Sequence, residues 1–192
     1  MSDRLTQIAD AAVHVVATRG MRGLTHRAVD AQAGLPQGST SAYFRTRKAL
    51  IEALVRRLAE QDTAEVTDLV DVTDLDALAK GSAQVLDSWM TTGRERTLAR
   101  YACLLEATHH PELRTILTHG AQSRDMARTM LERAGVPDAE RQGRTLVAFI
   151  DGLLFDRLVG AGALNAPQPG TPESITDLTT AIRTALRAIF GH

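Results

Sequence analysis

Residues 31–50 read AQAGLPQGSTSAYFRTRKAL, and the side chains between Gln37 and Lys48 suit one kind of chemistry. Gln37 carries a planar amide able to pair in two places with the edge of an adenine. Gly38 lets a backbone approach another molecule closely, and Ser39, Thr40 and Ser41 offer small hydroxyls that reach bases or phosphates without bulk. Behind them, Arg45, Arg47 and Lys48 crowd together where the start of a following helix presents cations and free backbone N–H groups to a phosphate. Such a row reads base edges and grips the backbone beside them. Catalytic signatures are missing: the chain has no nucleophile elbow, no phosphate-binding P-loop and no zinc-binding HExxH. A helical-bundle enzyme built on some combination of Glu106, His109 and Asp151 is the competing reading from another class.

The surrounding pattern is helical. Leu5, Ile8, Ala9, Ala12, Val13 and Val16 recur at helical spacing, and Gly20 follows as a left-handed stop. Thr25 is placed to cap a short second helix with Ala28, Val29 and Ala33 facing inward and Gly34 closing it. Pro36 lies at or just before a third segment, Gln37 to Phe44, which is short, polar and rich in β-branched residues. Propensity does not make this segment a helix, so packing must hold it, with Leu35 and Phe44 as anchors. Two short helices joined by a tight glycine-containing turn form the helix-turn-helix pattern, whose second helix enters the major groove.

Helical periodicity resumes at Arg47 through Leu50, Ala53, Leu54 and Leu58. An acidic stretch follows with Glu60, Asp62, Glu65, Asp68, Asp71, Asp74 and Asp76. Further helices are expected around Leu78–Met90, at 95–108, at 111–134 opened by Pro111, at 138–163 and at 173–190. No segment keeps a period of two for long and no hairpin turn is visible, so the fold class is all-α.

Net charge of -1 over 192 residues hides an asymmetry. The first sixty residues carry nine Arg and Lys against five acids, and the remainder thirteen against eighteen. A basic N-terminal unit on an acidic body fits a polyanionic partner for the former and a different task for the latter. Cys103 is the only cysteine, which excludes an internal disulfide; it reads as a buried small hydrophobe. No stretch reaches the roughly eighteen apolar residues of a membrane span and the N-terminus lacks a signal core, so a cytoplasmic protein is expected. No cofactor is expected, and His109, His110 and His119 lack the ligand spacing of a metal site.

Residues 4–58 resemble the N-terminal DNA-binding domain of the TetR family, the tetracycline-repressor-like regulators of bacteria. The resemblance is carried in order by ATRG, LTHRAVDAQAG, GLPQGSTSAYF and RTRKALIEAL. It implies phosphate contacts from Thr25 and His26, a base edge within reach of Arg27, and base reading by Gln37, Gly38 and Ser39 with Thr40 and Ser41 beside them. Tyr43 and Arg47 would grip the backbone, with Lys48 adding to that field. Where many members carry Leu-Tyr this chain has Thr40-Ser41, and Tyr43 can supply a comparable hydroxyl.

The resemblance further implies an N-terminal three-helix helix-turn-helix domain over residues 1–48 and a helical-bundle effector-binding and dimerisation domain over 49–192. Candidate effector-pocket residues are the large or soft side chains of the middle helices: Leu86, Trp89, Met90, Tyr101, Leu104, Leu105, Met126, Met130 and Phe149. Two apolar stripes are expected to pair with a second copy, with ordinary core as the alternative for either: Leu146, Ile150, Leu153, Leu154 and Leu158, and Ile175, Leu178, Ile182, Leu186 and Ile189. The implied function is a homodimeric regulator that binds double-stranded operator DNA and responds to a small molecule. A DNA-binding protein whose larger part docks a protein partner is the third reading.

Overall fold

The computed structural model describes residues 3–63, 74–110, 114 and 117–191. Glu65, Asp68, Asp71 and Pro111 lie outside the described residues, as do the side chains of Asp62 and His119. Every described element is helical: α1 (Asp3–Gly23), α2 (His26–Gln32), α3 (Ser39–Tyr43), α4 (Arg47–Thr63), α5 (Leu75–Met90), α6 (Arg94–Glu106), α7 (Leu117–Arg133), α8 (Ala139–Leu158), a 3-10 turn (Ala161–Leu164) and α9 (Pro172–Phe190). The all-α expectation holds among them.

The chain forms two compact units, one holding α1–α4 and α6, the other α5 with α7 from Gly120 onward, α8 and α9. In the first, α1 is buried on more than one side: Ile8, Ala9, Ala11, Ala12, Val13, Val15 and Val16 are all inside. A helix covered so widely must have neighbours on several faces, and it packs against α2, α4 and α6. Leu24, Val29, Phe44, Leu50, Leu54 and Leu58 complete its core, with Ala99, Cys103 and Ala107 contributed from the α6 segment. Gly20 leaves helical geometry at φ 65, as the sequence predicts, after which the chain makes one more turn before Leu24.

In the second unit, α5 and α9 lie side by side. Leu78, Ala79, Ala83, Leu86 and Met90 are buried on one, and Leu178, Ile182 and Leu186 on the other. A buried carboxylate links them: Asp87 accepts from Ser174 Oγ at 2.7 Å and from Gly170 N at 3.0 and 3.1 Å. Ion pairs at 2.6 Å from Arg157 to Asp177 and from Arg183 to Asp76 tie α8 and α5 to α9.

Two expectations require correction here. The long helix expected at 138–163 ends at Leu158, because the chain folds back tightly at Gly160, where a Cβ would come within 2.7 Å of Asp156 Cα. The two apolar stripes are not free faces: Leu146, Leu154, Leu158, Leu178, Ile182 and Leu186 are buried within this chain, and Ile150, Leu153, Ile175 and Ile189 are half-buried. The outward apolar face of α8 is a different one, formed by Ala148, Phe149, Gly152, Phe155 and Val159.

Candidate nucleic-acid interface

The site is built on α2 and α3. Thr25 caps α2 in extended geometry, its side chain accepting from Ala28 N at 3.1 Å. The chain closes α2 at Ala33, turns through Gly34 and Leu35, and enters α3 from Gly38 at φ 94, a backbone conformation that favours glycine. Phe44 is buried beneath α3 while its neighbour Tyr43 is 51% exposed. The aromatic pair therefore divides into an anchor and an outward ring.

Among the exposed residues of this region are Thr25, Arg27, Gln37, Gly38, Ser41, Tyr43, Arg45, Arg47 and Lys48. Ser39 is half-buried and its hydroxyl donates to Pro36 O at 2.7 Å, leaving the oxygen lone pairs as acceptors. Lys48 lies 3.9 Å from Glu52 in an exposed pair worth well under about 1 kcal/mol, so its ammonium can be recruited elsewhere. Thr46 caps α4, accepting from Ala49 N at 3.1 Å, and so sets the helix start beside Arg47 and Lys48.

Three of the sequence-predicted contacts are placed differently from expectation. Thr40 is fully buried, because the first turn of α3 lies against the body of the unit, and it presents nothing outward. His26 is half-buried and holds the other end of α3, Nε2 lying 2.6 Å from Phe44 O. A carbonyl only accepts, so this nitrogen carries the proton. Arg47 directs its guanidinium at the end of α1, donating from Nη1 to Leu24 O and from Nη2 to Met21 O, the latter at 2.7 Å. A cation there complements the carbonyls that a helix end leaves free.

Asp30 was not among the predicted site residues, and it is central to the site. It is buried at 3% exposure on α2 and accepts from Gly38 N at 2.8 Å and from Thr40 N at 2.7 Å. Burial pushes its carboxyl up, but the Thr40 and Gly38 N–H groups and the His26 ring outweigh that and hold it below the ordinary value of 3.8. The sequence does carry a signal for this residue: an acid four positions after His26, next to Val29 on a helix that packs inward.

The effector-pocket candidates divide between the two units. Leu86, Met90 and Met130 are buried and Trp89 and Met126 half-buried in the second; Tyr101 and Leu104 are half-buried in the first, where Leu104 packs on the core. Leu105 and Phe149 are exposed at 65% and 39%, which is not the burial of a lining residue. Two open clefts are lined by other residues, one by Gln7, Asp10, His14 and Gln32 and the other by Asp76, Lys80, Thr179 and Arg183. Glu106 and His109 belong to the first unit and Asp151 to the second, and Glu106 pairs with His110 at 3.2 Å.

Known proteins agree with this architecture. Residues 8–54 match the family described as bacterial regulatory proteins, tetR family, and residues 73–191 match the tetracyclin repressor-like C-terminal domain. The HTH-type transcriptional regulator BetI of Escherichia coli O45:K1 (strain S88 / ExPEC) is 26% identical over 176 residues, covering 86% of this chain and 88% of BetI. A transcriptional regulator from Rhodococcus sp. Rha1 shares the fold at TM-score 0.76 and 22% identity, over 97% of this chain and 96% of that one. A TetR-family member from Streptomyces coelicolor A3 is 28% identical at TM-score 0.68, over 94% and 98%. The multidrug binding protein EbrR, solved with ethidium, is 29% identical at TM-score 0.64, again over 94% and 98%. The C-terminal match alone takes in more than half of the sequence and the N-terminal match covers the reading head, so the chain belongs to the TetR family of bacterial regulatory proteins.

Proposed function

We propose that this protein is a ligand-responsive transcriptional regulator, a repressor that binds a palindromic operator as a homodimer and leaves it when a small, largely apolar effector binds. The observation that carries the reading is the exposed row of Gln37, Gly38 and Ser41 at α3, with Arg27, Tyr43, Arg45 and Lys48 around it. A polar helix of five residues is an element that its local sequence does not favour. Its outward side chains are those that pair with base edges and phosphates. Gln37, Ser39 and Ser41 are the base readers, Thr25, Tyr43 and Lys48 the backbone contacts, and Arg27 reaches a base edge. DNA reading is assigned to residues 1–48, and effector binding and dimerisation to 49–192.

A lone head reads few base pairs, whereas two heads about 34–36 Å apart read both halves of a palindrome on one face of the duplex. The face of α8 formed by Phe149, Gly152, Phe155 and Val159 is the dimer surface in this reading, since an apolar stripe on a surface helix needs cover. Phe155→Glu should therefore yield monomers by light scattering. For the effector, the ethidium bound by EbrR supports a soft, aromatic-tolerant site. Leu86, Trp89, Met90, Met126 and Met130, all in the second unit, are the assigned lining. Among the described residues no helix is long and apolar enough to cross a membrane, and the regulator is assigned to the cytoplasm, where its DNA is.

Selection of random duplexes with the purified protein tests the reading. An inverted repeat should be enriched, its affinity should fall steeply with salt, and Gln37→Ala should cost about 1–3 kcal/mol and relax one position in each half-site. Enrichment of no sequence, or a preference indifferent to Gln37, would refute it. A rise in melting temperature with planar apolar cations separates an effector-binding regulator from a module that docks only a protein.

A further inference from the structure

A five-residue helix does not stand alone, because closing one turn fixes several dihedrals for a single hydrogen bond, and Ser-Thr-Ser is poor helix-forming sequence. The N-cap of α3 is Gly38, in the left-handed region and with no side chain to offer. The Ser39 N–H finds Pro36 O at 3.1 Å, but the neighbouring Gly38 and Thr40 N–H groups get no side-chain cap from the N-cap residue itself. The acceptor comes from α2. Asp30 Oδ2 takes the Gly38 N–H and Oδ1 the Thr40 N–H, at 2.8 and 2.7 Å. One turn earlier on the same face of α2, His26 donates to Phe44 O at 2.6 Å. Residues four apart on one helix therefore hold both ends of the next.

We propose that Asp30 is a positioning residue for DNA reading: its carboxylate is the cap that Gly38 lacks, and it sets the angle at which α3 carries Gln37, Ser39 and Ser41 to base edges. The proposal rests on the reading of that row as base-facing. Direct contact with DNA is not its role, since it is buried with both oxygens engaged and an anion would repel a phosphate. Nor is filling the core its role, since an apolar side chain fills space without the cost of desolvating a carboxylate. What an apolar residue cannot do is accept two backbone N–H groups across a helix pair. Removing the carboxylate frees the entry to α3 while Val29, Phe44, Leu50 and Leu54 still hold the core. Base reading then fails, and the sequence-independent grip of the surface cations remains.

The test uses the full chain with the operator that wild type selects and a scrambled duplex of equal length, titrated by fluorescence anisotropy. Asp30→Ala should bind the operator roughly tenfold to a hundredfold more weakly, the scale of hydrogen bonds to a charged group. Its affinity for the scrambled duplex should stay within about threefold and its salt slope should be unchanged, because no phosphate contact is lost. Asp30→Asn, which keeps one acceptor oxygen, should fall between. Wild-type amide exchange by NMR needs no variant, and the Gly38 and Thr40 N–H groups should exchange well below the unstructured rate. If wild type selects no operator, the regulator reading itself fails. If wild type binds its operator and a folded Asp30→Ala binds it equally, or loses both duplexes alike, the positioning role is overturned. Should both variants fail to fold, unprotected Gly38 and Thr40 amides in wild type overturn it, and protected ones support it.

Discussion

Arg47 distinguishes a brace from a DNA ligand, and Arg47→Ala shows which it is. Its guanidinium donates to Met21 O and Leu24 O, joining the start of α4 to the end of α1. Hydrogen bonds from a charged donor contribute about 1.5–3 kcal/mol each when buried. Arg47 is exposed as a residue, and water can replace it at both carbonyls, so the sum shrinks to about 1–3 kcal/mol. In urea, where m is about 1–3 kcal/mol per molar, the midpoint should fall by about 1 M with m unchanged, read by circular dichroism. Lys48→Ala is the comparison: its exposed pair with Glu52 contributes less than about 0.5 kcal/mol, so the midpoint should stay in place. On operator DNA the order reverses, Lys48→Ala lowering the salt slope by about 1 and Arg47→Ala leaving it unchanged. The reasoning fails if Arg47→Ala keeps the wild-type midpoint and loses the same increment of salt slope as Lys48→Ala. The guanidinium would then work on a phosphate, as the sequence alone suggests.

Three further outcomes follow from particular contacts. Burial, helped by the Glu106 carboxylate, pushes the Cys103 thiol up to about 12, so it stays protonated and unreactive. Iodoacetamide at pH 8 should modify it only on the timescale of local opening, and rapid stoichiometric labelling of native protein by mass spectrometry would contradict this. At Gly143 a Cβ would lie 2.9 Å from Arg128 N on the neighbouring helix; Gly143→Ala should cost about 1–3 kcal/mol, seen as a lower melting temperature. For Asp30 the folded-state pKa is depressed. The stability it contributes is therefore present above the unfolded carboxylate value of about 3.9 and is lost as pH falls through the lower folded value. The gap in stability between wild type and Asp30→Asn should be widest above about pH 4 and shrink on further acidification, whereas a gap that grows on acidification would reverse the sign.

Much of the fold is legible in local pattern. The glycine stop at Gly20, the Thr25 cap and the division of Tyr43 and Phe44 into outward ring and anchor depend on backbone preferences and on alternation over a few residues. Less legible is the extent of burial on α1. Its wide apolar run, Ala11, Ala12, Val13, Val15 and Val16, calls for cover on several faces, but nothing nearby in sequence names α6 as one of the covers. The stripes on α8 and α9 show the same limit. Regular apolar spacing says that a face is buried and does not say whether its cover is another helix of the chain or a second copy.

The sequence by itself determined that this protein is all helical and opens with a helix-turn-helix, and it placed the exposed polar row near Gln37 on that motif, because caps, glycines and periodicity are local facts. Tertiary structure alone decided which polar groups face outward. Thr40, His26 and Arg47 are of types that bind nucleic acid, yet Thr40 is buried and the other two make hydrogen bonds to backbone carbonyls of neighbouring elements. Asp30 supplies the cap of α3 from across the helix pair. The reason is that a side chain's partner is chosen by distance in space, and residues eight to twenty-six apart in sequence meet only after the helices have packed.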